Sequence, residues 1–161
     1  MTRVKVSRKW SVRLDRILTQ EETAEVLARL VEPQLLICET CISTGTRISE
    51  AVGLQLKHVD LKAATLKIQQ RHCRGDVDEP KTRNSKRTLA LGTLADRFQG
   101  WTARKSITKR DDWIFAKDDD PTKPMWDSGV RKALEIAARV AISSDSACTR
   151  SDEPISRGDR K

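Results

Sequence analysis

Uninterrupted apolar runs in this chain reach no more than four residues, as in Leu35-Leu36-Ile37-Cys38. A bilayer-spanning helix needs roughly 18 or more, so no span is expected and the core has to be assembled from short amphipathic pieces. The run lies in a segment that starts at Gln34 after Pro33 and carries Leu35, Leu36, Ile37, Cys38 and Ile42. That band is broad enough for a buried helix, and Gly45 supplies a left-handed cap at its end. Upstream, Thr19-Gln20-Glu21-Glu22 has the form of a capping box, with Leu27, Leu30 and Val31 following at helical spacing. Residues 47–54 read as a short helix with Ile48, Ala51 and Val52 inward and Arg47 and Glu50 on a shared face.

The periodicity then changes. Thr65-Leu66-Lys67-Ile68-Gln69 and Thr88-Leu89-Ala90-Leu91 alternate apolar with polar residues, as half-buried strands do. Between them lie Gly75, Pro80 and Asn84-Ser85 among many charges, which predicts a small antiparallel sheet with basic hairpin turns. A further helix is expected from Thr93 to Arg104 on Leu94, Phe98 and Trp101, and a brief strand at Trp113-Ile114-Phe115. Asp127 reads as the N-cap of a last helix with Val130, Ala133, Leu134, Ala137 and Ala141 inward. The fold class expected is α+β, mainly helical with one small antiparallel sheet.

The pattern stops after Ile142. With Ala147, Cys148 and Ile155 as its apolar side chains, segment 143–161 is expected to be a disordered polar tail. At the other end, residues 1–16 hold Arg3, Lys5, Arg8, Lys9, Arg13 and Arg16 against Asp15, a basic arm ahead of a compact region at 17–142. In total 31 Lys and Arg oppose 23 Asp and Glu, a net charge of +8 that favours an anionic partner, with nucleic acid foremost. The basic N-terminus has no apolar stretch of the secretory kind, so a cytoplasmic protein is expected, nucleoid-associated if the source is bacterial.

Thr44-Gly45-Thr46-Arg47-Ile48-Ser49-Glu50, with Gly53-Leu54 and Val59-Asp60 after it, resembles the first motif of the tyrosine recombinase (phage integrase) catalytic domain. Pro80-Lys81-Thr82-Arg83-Asn84-Ser85-Lys86-Arg87-Thr88 is similar to that family's lysine-bearing hairpin, and Ile17-Leu18-Thr19-Gln20-Glu21-Glu22 to the start of its domain. The resemblance covers about residues 14–142. It implies a helical domain with a small sheet that grips duplex DNA around a scissile phosphate.

On that resemblance Arg47 is the first catalytic arginine, stabilising charge on the phosphate with its planar fork, and Glu50 orients it. Lys81 is the hairpin lysine that protonates the leaving 5′ oxygen. Arg83, Lys86 and Arg87 lie close enough to leave the register open, and all are DNA-binding candidates. The bland alternatives are a surface ion pair between Arg47 and Glu50, worth a few tenths of a kcal/mol, and a solvated basic hairpin.

The chain departs from the family after residue 142: no His-x-x-Arg box and no tyrosine nucleophile follow, and the sequence contains no Tyr at all. The family's N-terminal DNA-clamping domain is also not matched. The expectation is therefore a DNA-binding, cleavage-incompetent relative, truncated or frame-shifted, monomeric in solution. The second reading is a noncatalytic regulatory module that acts at recombination sites or with an intact recombinase. A third, of another class, is a structural zinc module on Cys38, Cys41 and a later residue such as His58, His72 or Cys73. No metal or cofactor is expected on the first two readings, and His58 and His72 are expected to be ordinary surface or helix-end residues.

Overall fold

The computed structural model describes residues 17–73, 76–78 and 86–148. Among the described residues five α-helices run in chain order as α1 (Gln20–Ala28), α2 (Gln34–Thr44), α3 (Ile48–Val52), α4 (Leu94–Arg104) and α5 (Asp127–Cys148). Strands β1 (Val59–Asp60), β2 (Thr65–Ile68) and β5 (Arg87–Ala90) form an antiparallel sheet in the order β1-β2-β5. A separate hairpin pairs β3 (Arg71–Cys73) with β4 (Asp76–Asp78). The α+β class expected from the periodicities is the one found.

The capping box at α1 forms as expected. The Thr19 amide donates to Glu22 Oε2 at 2.9 Å and the Glu22 amide to Thr19 Oγ1 at 3.2 Å. The helix then ends at Ala28, before Leu30 and Val31. Beyond that end helical spacing no longer sets direction, so Leu30 turns into the core and Val31 into solvent, and Val26 supplies the buried position within the helix.

Helix α2 is buried as expected, but along a different line. Its inward face runs through Leu36, Ile37 and Thr40, and Ile42, on the far side of the helix, is exposed. Thr40 is tolerated inside because its hydroxyl donates to the Leu36 carbonyl at 2.7 Å. Around this helix pack α3, α4 and α5, with α1 laid against α5. Phe98 of α4 sits edge-on to Phe115 at 6.2 Å between ring centres, both rings fully buried.

Two further expectations are corrected. Trp113-Ile114-Phe115 is not a strand but an irregular segment held by single bridges, Gln55 to Trp113 and Ala116 to Pro124. Pro124 has no amide proton to extend a ladder, while Ile114 and Phe115 still fill the core. The last helix begins at Asp127 itself rather than being capped by it, and it runs six residues past Ile142 to Cys148. From Val130 to Cys148 there is no Gly or Pro, so the backbone bonds propagate past the end of the apolar pattern.

One glycine fixes how α3 meets the hairpin. A methyl group on Gly53 would lie 3.0 Å from the His72 amide nitrogen and 3.2 Å from Arg71 Cα and carbonyl carbon. These are backbone atoms of β3, which cannot swing aside as a side chain would. Gly53→Ala is expected to cost about 1–3 kcal/mol by overpacking, measured as a shift in the urea-denaturation midpoint with an unchanged slope.

Candidate nucleic-acid interface

The turn after α2 places the first site residue. Gly45 adopts φ 68°, the left-handed conformation that ends the helix, and its amide donates to Cys41 O at 3.0 Å. Thr46 is buried, its hydroxyl 3.0 Å from that of Thr44. Arg47 then stands at the N-cap of α3 with extended backbone angles, φ −80° and ψ 151°. Its carbonyl accepts from the amides of Glu50 and Ala51, both at 2.9 Å.

Glu50 closes the other half of that cap. Its Oε2 accepts from the Arg47 amide at 2.9 Å, so one carboxylate oxygen is tied to the backbone at the start of α3. Two guanidinium groups converge on it. Arg47 Nη1 lies 3.3 Å from Oε1, while Arg87 of β5 donates through Nη2 to Oε2 at 2.9 Å and through Nη1 to Oε1 at 3.4 Å. The β2–β5 register pairs Ile68 with Arg87 and so carries Arg87 to Glu50, 37 residues away in sequence.

The three side chains differ sharply in exposure: 4% for Glu50, 29% for Arg87 and 76% for Arg47. The surface ion pair considered from sequence is therefore not what forms, because the carboxylate is buried. Burial pushes the Glu50 pKa up. The Arg87 hydrogen bond, the Arg47 amide and the two positive charges outweigh burial and hold it below the ordinary carboxylate range. One negative charge thus faces two positive ones, and the outer of the two has a mostly exposed side chain.

Lys86, next to Arg87, is exposed. Lys81 and Arg83 lie outside the described residues. Both histidines are buried rather than on the surface. His58 does sit at a helix end, as the last residue of the short 3-10 helix Leu56–His58, accepting the Gln55 amide on Nδ1 at 3.1 Å. Burial, with Lys57 nearby, lowers its pKa, which suits an acceptor that stays neutral. His72 packs edge-on to Trp126 at 6.2 Å. What the sequence reading missed is the role of Arg87, which looked like one more basic hairpin residue.

Cys38 and Cys41 are free thiols of α2. Burial pushes Cys38 up to about 11, so its thiol keeps its proton. Among the described residues no group of three His, Cys, Asp or Glu side chains is placed to hold a metal ion. No described helix is long and apolar enough to cross a membrane.

The fold is that of the tyrosine recombinase catalytic domain. The phage integrase family matches residues 14–148, and the chain belongs to that family. Among solved structures it is similar to the Tn1549 transposon integrase in complex with circular intermediate DNA, with a TM-score of 0.59 at 18% identity over 86% of this chain and 48% of that one. A complex of the same integrase with transposon right end DNA gives 0.56 at 21% identity, over 68% of this chain and 39% of that one. XerA recombinase gives 0.56 at 12% identity, over 81% of this chain and 44% of that one. The chain thus spans less than half the length of the structures it matches. No curated protein sequence matches it.

Proposed function

We propose that this chain binds duplex DNA as a tyrosine recombinase does, with Arg47 as the phosphate ligand at the centre of the contact and a role in DNA recombination and integration. The observation that carries the reading is the contrast between Arg47 and Glu50. An arginine whose carboxylate partner is buried and already bonded elsewhere, while its own side chain is three-quarters exposed, is available to an anion. Glu50 is the supporting residue that orients it. The excess of positive charge, Lys86 beside the site and Lys81 and Arg83 in the same hairpin sequence would supply further phosphate contacts.

In this reading Lys81 is the general acid for a leaving 5′ oxygen, but the 161 residues contain no tyrosine to attack phosphorus. The chain by itself therefore holds DNA without cutting it. The same fact favours the regulatory reading, in which the chain, a monomer in solution, occupies a recombination site or works beside an intact recombinase.

The test is DNA binding across a salt series. Arg47→Ala is expected to weaken binding about tenfold near 0.1 M salt and to flatten the log–log salt slope by about 1. An unchanged affinity and slope would remove Arg47 from the interface. A suicide duplex carrying a nick should give no covalent adduct with the unmodified chain, and an adduct would overturn the noncleaving part of the reading.

A further inference from the structure

We infer that Arg87 is a positioning residue and not a DNA ligand: it neutralises Glu50 so that the Arg47 guanidinium, held to Glu50 by one nitrogen, keeps its remaining donors for phosphate. This rests on the reading of Arg47 as the phosphate ligand and adds to it the reason that Arg47 is available.

The geometry divides the two arginines. Arg87 presents two nitrogens to the two carboxylate oxygens, at 2.9 and 3.4 Å, in the fork-to-fork arrangement that best satisfies a carboxylate. It does so from a strand, with less than a third of its side chain exposed. Arg47 reaches the same carboxylate through one nitrogen at 3.3 Å, from a side chain that is mostly in water. A charge pair this unequal leaves Glu50 matched by Arg87 and the net positive charge of the trio on Arg47.

Removing Arg87 alone reverses that. The buried Glu50 carboxylate, still fixed by the Arg47 amide, would then have Arg47 as the nearest cation with which to compensate its charge. Arg47 would be drawn inward and withdrawn from DNA. A direct phosphate contact by Arg87 gives the opposite logic, because its loss could not be repaired by changing Glu50.

The experiment measures DNA affinity of the full chain for Arg87→Gln, for Arg87→Gln with Glu50→Gln, and for Arg87→Gln with Asp119→Asn. Asp119 is an exposed residue of the 118–120 acidic turn, so its substitution restores net charge without touching the trio. The single variant is expected to bind about tenfold more weakly, the loss of one charge-assisted contact. Adding Glu50→Gln should bring affinity back to within about threefold of the parent, since an isosteric amide keeps the cap and no longer competes for Arg47. Adding Asp119→Asn should not.

No rescue by Glu50→Gln, or equal rescue by both additions, would overturn the positioning role and leave Arg87 as a phosphate contact or a long-range charge. If Arg87→Gln fails to fold, the double variant with Glu50→Gln still decides the matter: parental affinity supports the proposal and a tenfold loss refutes it. Arg47→Ala, run alongside, separates the two failures. If it binds like the parent, the site reading itself is lost; if it is weak while rescue fails, only the role of Arg87 is.

Discussion

Glu50→Ala is expected to destabilise the protein by about 2–4 kcal/mol, because it removes one partner of a largely buried charge pair. The carboxylate takes a backbone amide and two guanidinium groups at once, and alanine returns none of these bonds. It also removes the side chain that caps α3, a helix of only five residues that has little stability of its own. DNA affinity should fall with stability, since Arg47 loses the anchor that fixes its backbone. Denaturant titration and DNA binding on the same preparation check both effects.

The same group predicts a pH dependence. A carboxyl whose folded pKa is depressed contributes stability above its unfolded pKa and loses that contribution as pH falls through the folded value. Glu50 is such a group, with burial opposing the shift and Arg87, the Arg47 amide and both charges producing it. Its share of the stability should therefore be complete at neutral pH and be lost progressively as pH falls from the ordinary carboxylate pKa to the lower folded value. Glu50→Gln should flatten that limb of the stability curve, and an unchanged acid limb would show that the carboxylate is not its source.

Phe98→Ala is expected to have the largest effect on stability, about 3–5 kcal/mol, from lost burial plus the cavity left behind. The ring is fully buried and sits edge-on to Phe115, which in turn lies 6.3 Å from Trp101. Trp101 is tied down by its own indole nitrogen, which donates to the Ile114 carbonyl at 2.8 Å, so the cluster cannot easily collapse into the gap. The melting temperature should drop by on the order of 10 °C. Below the transition the salt slope of DNA binding should match the parent, because α4 supplies core to α2 and no part of the Arg47 trio.

Much of the fold was legible in the residues themselves because the signals are local. A capping box needs four residues, a left-handed helix end needs one glycine, and β2 and β5 announce themselves by alternation over four. Helix ends and faces were less legible. Val31 and Ile42 are apolar at helical spacing, yet one lies past the end of α1 and the other on the outer side of α2. Spacing does not say where a helix stops, and a buried threonine that bonds its own backbone can take the place of an apolar residue.

The motif around Arg47 and Glu50 determined from sequence alone the family, the pairing of those two residues and the basic character of the hairpin. What it left open was which charge compensates which. Arg87 reads in one dimension as a basic residue among others, and only the antiparallel register beside Ile68 brings it onto Glu50. Burial of that carboxylate, which turns an ordinary helical ion pair into a three-group cluster with an exposed arginine, is likewise a property of the packed chain. Charge and local hydrogen bonding act over a few residues and can be read in order; desolvation and pairing across 37 residues exist only once β5 lies beside β2 and its Arg87 reaches Glu50 of α3.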